Sequence, residues 1–457
     1  MSTPPSPQSP RSTPDSARRT HLLPRRSALR SFSALAALAS TGALTGCGST
    51  PDKDRDDALA KIEWLPSEVD TEPVSLDQQR ATTAVTACNA VGATMLSTLL
   101  RKDGSSNALS CPVGITFILA LLYAGAETVG EGVNAALGVK ADAQAQSRDS
   151  TWSAVRQTLQ RFDVADVQQL RDFDPGAIPE APLLHVANNI MIVDDKTVVR
   201  QEYLDNAKRW YDSEIGRVRN PDARAALDAW ADLHTGGLIK QSAIVLRPDT
   251  VLVLQNALLF AARWERRFTK ASTIEKQPFT RADGSTSRAD LMTSTRPYTL
   301  VAGPGWRALR LPYNGGGATG GPTLAMDVIL PNRVISPAGL PASTWGEATR
   351  LLTAAQAEDR AAGVRLRLPR LDLSSQPTDL TGVVESLGVR LGSQDHIGPN
   401  VLVDQIVQQV RLTVAEEGTV AAALDPAAGS RPRCPVLVEG ASRLRARLSR
   451  RRRGPSR

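Results

Sequence analysis

The order in which two hydrophobic periods occur along the chain constrains its fold more than any other feature. The helical period comes first. From Ala87 to Leu100, apolar residues recur at Val91, Met95 and Leu99, four apart, as on one face of an amphipathic helix. A second helix is predicted over Pro112–Ala124, with Ser110 or Cys111 near its start and Pro112 in the first turn, where its missing N–H has no intrahelical partner to lose. Further helical patterns fall at 151–162, 201–211 and 222–234. Strand-like runs interleave at Leu183–Val193 and at Thr250–Phe260, the latter rich in Val and Leu. Downstream the chain turns mostly to strands, at Ala308–Tyr313, Thr323–Leu330, Val364–Leu373 and Ile406–Val414. In the last, Ile406, Gln408, Val410, Leu412 and Val414 share one face by period two. Helices early and strands late describe an α+β domain rather than alternating βαβ units. No internal repeat interrupts this order.

Composition supports a folded domain and removes one function class. The chain has 457 residues, 41% apolar and 22% charged, enough to bury a core and unlike a disordered sequence. Its formal charge of +7 sits at the ends. Residues 1–46 hold six Arg against one acid, and 441–457 hold eight Arg and no acid, which leaves 40 bases and 46 acids between them. The globular part is therefore near −6, and no nucleic-acid partner is expected.

The basic start has the form of an export signal. Residues 2–20 are rich in Ser, Pro and Thr; Arg25-Arg26-Ser27-Ala28-Leu29-Arg30 then opens a short apolar run from Ser31 to Gly46. It ends in Leu44-Thr45-Gly46-Cys47, which resembles a bacterial lipobox, and the arginine pair resembles a twin-arginine signal. That resemblance implies cleavage before Cys47, acylation of its thiol, and a protein held outside the cytoplasm by its lipid or released to the exterior. Residues 47–80 read as a flexible tether.

Catalytic and metal-binding patterns are absent. Cys88, Cys111 and Cys434 remain after Cys47; they are odd in number and widely spaced, unlike a disulfide framework or a zinc site. Cys88 and Cys111 lie in apolar helical stretches and are expected to be buried thiols. His185 and His234 are read as structural. Neither a Gly-x-Ser-x-Gly elbow nor a phosphate-binding Gly-Lys-Ser/Thr loop occurs. Gly315-Gly316-Gly317-Ala318-Thr319-Gly320 matches a dinucleotide pattern by letter, but Pro322 and a strand follow it, where a helix N-terminus would be needed. It is read as a hairpin loop. The chain is thus expected to be no enzyme and to hold no cofactor or metal.

Several separate motifs carry a resemblance over roughly residues 85–423. Asn107-Ala108-Leu109-Ser110-Cys111-Pro112, Leu122-Tyr123-Ala124-Gly125-Ala126 and Ala136-Leu137-Gly138 come first. Ala187-Asn188 with Ile192-Val193, and Trp230 with Thr235-Gly236-Gly237-Leu238-Ile239, follow. The most specific stretch is Asp249-Thr250 leading to Leu254-Gln255-Asn256-Ala257 and Phe260, Trp264 and Phe268. Leu311-Pro312-Tyr313, Ile329-Leu330-Pro331 and Leu368-Pro369-Arg370-Leu371 precede Val414-Ala415-Glu416-Glu417-Gly418-Thr419-Val420-Ala421-Ala422-Ala423. In this order the chain resembles a serpin.

The resemblance implies helices packed on a large mixed sheet with smaller sheets, and an exposed reactive-centre loop that a serine protease attacks as bait. The cut loop then enters the main sheet as an added strand, a mechanism general to this kind of inhibitor. Glu416, Glu417, Gly418, Thr419, Ala421, Ala422 and Ala423 correspond to the hinge of that loop. Alternation places the small side chains of Thr419, Ala421 and Ala423 on one face, and Gly418 supplies backbone freedom. Asn107, Asn256, Trp264 and Gln408 fall at positions that control sheet opening. The family's spacing counted from Glu416 reaches Pro432-Arg433, where a bond after Pro suits few proteases; a loop one residue longer puts the reactive bond at Arg433-Cys434, suited to a trypsin-like or subtilisin-like protease. A monomer is expected.

Departures from the family pattern complicate that expectation. Cys111 and Gly114 stand where serines are usual, and Gln408 where His is usual. Asp425 falls on the inward face, where an unpaired carboxylate costs several kcal/mol or must neutralise, and Pro426 cannot donate in a central strand. Family members end in two apolar strands, whereas residues 424–457 contain ten Arg and no aromatic residue. The domain is therefore expected to span 81–423, with 424–457 an atypical loop remnant and basic tail. Two functions follow: a lipid-anchored serpin-type inhibitor, or a non-inhibitory or defective serpin-like lipoprotein with a binding or structural role.

Overall fold

A computed structural model describes residues 51–430 except 66–67, 103–105, 195 and 316–323. Cys47, Arg433, Cys434 and most of the glycine loop lie outside the described residues.

In chain order the elements are α1 (Pro51–Leu59), β1 (Glu63–Trp64), α2 (Gln78–Lys102), α3 (Pro112–Leu122), α4 (Glu131–Ala136), α5 (Ala145–Leu159), β2 (Leu183–Ile192), α6 (Gln201–Tyr211), β3 (Glu214–Arg217) and α7 (Asn220–His234). Strands then dominate: β4 (Thr250–Arg263), β5 (Thr273–Thr280), β6 (Thr286–Tyr298), β7 (Leu300–Gly303), β8 (Trp306–Pro312) and β9 (Ala325–Pro331). After α8 (Thr344–Ala357) come β10 (Ala362–Pro369), β11 (Leu371–Ser374), β12 (Thr378–Asp379), α9 (Thr381–Ser386), β13 (Leu402–Val414) and β14 (Gly418–Ser430). The fold is α+β.

The main sheet runs β1-β3-β2-β4-β14-β13-β11, with β12 paired to β13. It is mixed, because β2 and β3 are parallel while the other pairs are antiparallel. Helices cover both faces. Every residue of α3 from Gly114 to Leu122 is buried, which matches its all-round apolar sequence. With α2 and α6 it covers one face through Val91, Met95, Phe117, Leu121, Tyr203 and Ala427. On the other face α7 packs Trp230 and Ala231 over Leu259, Ala422 and Leu424. A strand covered twice needs apolar residues at nearly every position, and β4 has them. Two smaller sheets, β10-β6-β5 and β7-β8-β9, join the main sheet through Trp264, Met292, Tyr298, Leu309, Tyr313 and Leu368.

Residues 51–65, expected within a flexible tether, are ordered. Ala58 and Ile62 are buried, Arg55 pairs with Asp232 of α7 at 3.0 Å, and β1 adds to the main sheet on β3. Short mixed-charge sequences give no period, so only this docking reveals the elements. His185 and His234 link sheet to helix: Asp163 lies 2.7 Å from His185 Nδ1, and His185 Nε2 lies 2.9 Å from His234 Nδ1. Cys88 and Cys111 are free and partly buried, and burial pushes the Cys88 thiol up to about 11.

Candidate functional site: an inserted hinge strand

The hinge begins beside Trp264. Trp264 Nε1 donates to the Ala415 carbonyl at 2.8 Å, and the ring stacks on Tyr313 with centroids 4.7 Å apart. Glu416 follows, 3% exposed, and accepts from Thr273 Oγ1 at 2.5 Å and from Arg370 Nε at 2.9 Å and Nη2 at 2.5 Å. Burial pushes Glu416 up, but the hydrogen bonds from Arg370 and Thr273 outweigh it and hold the carboxyl below its ordinary value. Glu417 is half-exposed, with Lys270 3.9 Å away. Arg370 sits in the Leu-Pro-Arg-Leu motif, and nothing in the sequence ties it to Glu416, 46 positions on.

Beyond Gly418 the structure departs from expectation. Residues 418–430 form no exposed loop but a strand, β14, seated between β4 and β13. The strand runs past Ala423 to Ser430. The insertion is sterically coherent. A Cβ on Gly418 would lie 2.1 Å from the Ala262 carbonyl oxygen, so glycine is needed here for close approach to β4 rather than for flexibility. Thr419 accepts a 2.8 Å hydrogen bond from the Tyr313 hydroxyl. Ala423 packs with Leu184, Leu258 and Val410, while Val420, Ala422 and Leu424 pack on the opposite face with Trp230.

Asp425 and Pro426, expected to oppose insertion, both lie within the strand. Pro426 pairs with Gln255 of β4. On the other side the register is constant, with Gln409 opposite Leu424 and Ile406 opposite Ala427, but the ladder skips the two positions between. The missing N–H therefore falls in a gap of the ladder. Asp425 is fully buried and accepts from Gln408 Nε2 at 2.5 Å. The same Gln408 accepts from the Cys111 N–H at 2.9 Å and donates to the Cys111 carbonyl at 3.0 Å. Burial pushes the Asp425 carboxyl well above its ordinary range, with Gln408 opposing only in part. Asn256 is also fully buried; it stands opposite Asn188 on one side and Asp425 on the other. Asn107, in contrast, is exposed ahead of α3 and takes no place among these buried groups.

Comparison with known proteins agrees with this architecture. The family model described as Serpin (serine protease inhibitor) matches residues 86–439. An uncharacterized serpin-like protein of Methanosarcina mazei is 25% identical over 363 residues, covering 77% of this chain and 78% of the relative. Human serpin I2 is 27% identical over 350 residues, covering 71% and 76%. Among solved structures, reactive-loop-cleaved human thyroxine-binding globulin superposes with a TM-score of 0.63 at 17% identity, covering 78% of this chain and all of that one (100%). With the family model over most of its length and its hinge seated as a central strand, the chain belongs to the serpin family.

Proposed function

We propose that this serpin inhibits a serine protease by acting as a suicide substrate. The observation that carries the reading is β14: residues 418–430 fit between β4 and β13, with Ala423 packed on one face and Val420, Ala422 and Leu424 on the other. A segment that can be seated so completely is what a loop-inserting trap requires. The bait bond is Arg433-Cys434, whose arginine suits the acidic specificity pocket of a trypsin-like enzyme; a subtilisin-like protease is the other candidate partner. Leu44-Thr45-Gly46-Cys47 supports an acylated Cys47 that places the monomer on the outer side of a membrane. Palmitate labelling that persists in Cys47→Ala would disprove the anchor.

A second reading rests on a specific observation. Residues 418–430 are already seated although the chain is continuous, and a seated loop is no bait. Among the described residues, β9 and β10 also carry no partner on their outer edges. These features favour a non-inhibitory serpin with a binding role. Incubation with trypsin-like and subtilisin-like proteases decides between the two. A protease–serpin complex that survives a denaturing gel supports inhibition, together with cleavage after Arg433 by mass spectrometry; cleavage without complex supports the second reading.

A further inference from the structure

Three of the family departures meet at one point. A Cβ on Gly114 of α3 would lie 1.8 Å from Asp425 Oδ2 and 3.1 Å from Asn256 Oδ1. The side chain that Gly114 lacks therefore leaves the space that Asp425 fills. Among the described residues Gln408 supplies the one amide donor that Asp425 receives, and it is itself fixed at both ends by the Cys111 backbone. A glycine, a glutamine and an aspartate, each unusual alone, form one fitted contact.

The contact belongs to a polar row across four adjacent strands. Asn188 of β2 donates to the Tyr211 carbonyl at 3.1 Å, and Asn256 of β4 donates to Asn188 Oδ1 at 3.0 Å. Gln408 of β13 donates to Asp425 Oδ1 of β14. Between Asn256 and Asp425 the row stops: Asn256 Oδ1 and Asp425 Oδ2 are both buried acceptors without a donor. One hydrogen is missing there, and a protonated Asp425 would supply it. Each element packed against Asp425 presents an uncharged group. From α3 comes Gly114 and from the residue before that helix the Cys111 thiol, whose pKa burial and Asp425 raise; from α2, behind Cys111, comes Cys88; β4 gives Asn256 and β13 gives Gln408. Among the described residues no cation offsets a carboxylate at this point.

We infer that Gly114, Gln408 and Asp425 form a proton-dependent latch, in which Asp425 takes up one proton from solvent as the loop is seated and donates it to Asn256 Oδ1. Acid then favours the seated strand and alkali the exposed loop. The sign follows from the two states. In an exposed loop Asp425 titrates at its ordinary value of about 3.9, whereas in β14 its neutral form is favoured. The seated state binds more protons over the interval between, so its population rises as pH falls, about tenfold for each unit. This inference rests on the reading that residues 418–430 pass between loop and strand, but it needs no protease to be trapped.

Hydrogen exchange over residues 419–427 of the full-length chain, before and after trypsin treatment, tests it. Protection factors should rise as pH falls from 7.5 to 5.5 in the wild type, with about tenfold per unit as the limiting slope. Asp425→Asn, which keeps the shape and supplies its own N–H, should be protected at both pH values. Gly114→Ser should lose protection by forcing its side chain into Asp425, and Asp425→Ala should restore it in that background. Parallel pH profiles for wild type and Asp425→Asn would overturn the latch, even if Gly114→Ser proved unable to fold. So would equal losses from Gly114→Ser with and without Asp425. Absence of protection in every variant, before and after trypsin, would overturn insertion itself and the latch with it. Normal protection with no covalent complex on a gel would overturn inhibition alone and leave the latch standing.

Discussion

Two carboxylates nine positions apart, Glu416 and Asp425, are both buried beside the same strand and are handled in opposite ways. Glu416 lies at the end of the sheet, where Arg370 reaches it from β10–β11 while keeping 40% of its own side chain in solvent. The ion pair is completed by Thr273, and the carboxyl stays charged. Asp425 lies in the middle of the sheet with helices on both faces, and among the described residues only an amide reaches it. A long cation can span from solvent to the rim but not to the centre without burying its own charge, which costs several kcal/mol. Position in the sheet, rather than residue type, decides which carboxylate stays ionised.

If the rim is an anchored end and the centre a conditional one, changes at the rim should be costly at every pH. Trp264→Ala should have the largest effect. It removes a buried ring stacked on Tyr313 and the hydrogen bond to Ala415, and should cost about 4 kcal/mol by urea unfolding. A loss below about 1 kcal/mol would show that the rim is not anchored by packing. Arg370→Ala should cost about 2 kcal/mol, less than for a fully buried pair because solvent already screens the guanidinium. An unchanged urea midpoint would put Glu416 and Asp425 on the same footing.

The pH dependence should invert between the two sites. Glu416 has a depressed folded-state value, so its contribution is present above its ordinary value of about 4.3 and is lost as pH falls through the lower one. Wild type should therefore exceed Glu416→Gln by about 1.5 kcal/mol at pH 7 and lose that advantage as the pH falls below the ordinary glutamate value. An advantage that grows on acidification would contradict the assignment, since that sign belongs to Asp425. The smallest effect should come from Tyr313→Phe, which loses the hydrogen bond to Thr419 and about 1 kcal/mol, measurable as a lower urea midpoint.

Much of the fold was legible in advance because its cause is local. The predicted 201–211 helix coincides with α6, and Leu183–Val193 and Ile406–Val414 fall on β2 and β13. The strands β5 and β6 and helix α8 carry no such local signal. Thr273–Thr280 is largely exposed and carries Glu, Lys and Gln, so it lacks the alternation that would mark it. At the site, the hinge from Glu416 to Ala423 was legible through resemblance, and the burial of Asp425 through period two. The sequence places a carboxylate inside, where it must be paired or neutralised, but cannot show what stands across from it.

By itself the sequence determined the α+β order, the family, and the alternation that turns Thr419, Ala423 and Asp425 to one face. These depend on residues within a few positions of each other, where backbone geometry fixes which side chains share a face. Only the tertiary structure decided that Gly418 serves close approach to Ala262 and that Arg370 holds Glu416. It also decided that Gly114 vacates the space Asp425 fills. The last of these joins α3 to β14, and Gln408, which holds Asp425 from β13, lies 297 positions after the Cys111 that fixes it. No local propensity reports on such a pair, because its energy comes from desolvation and fit that exist only once the sheet has closed around the strand.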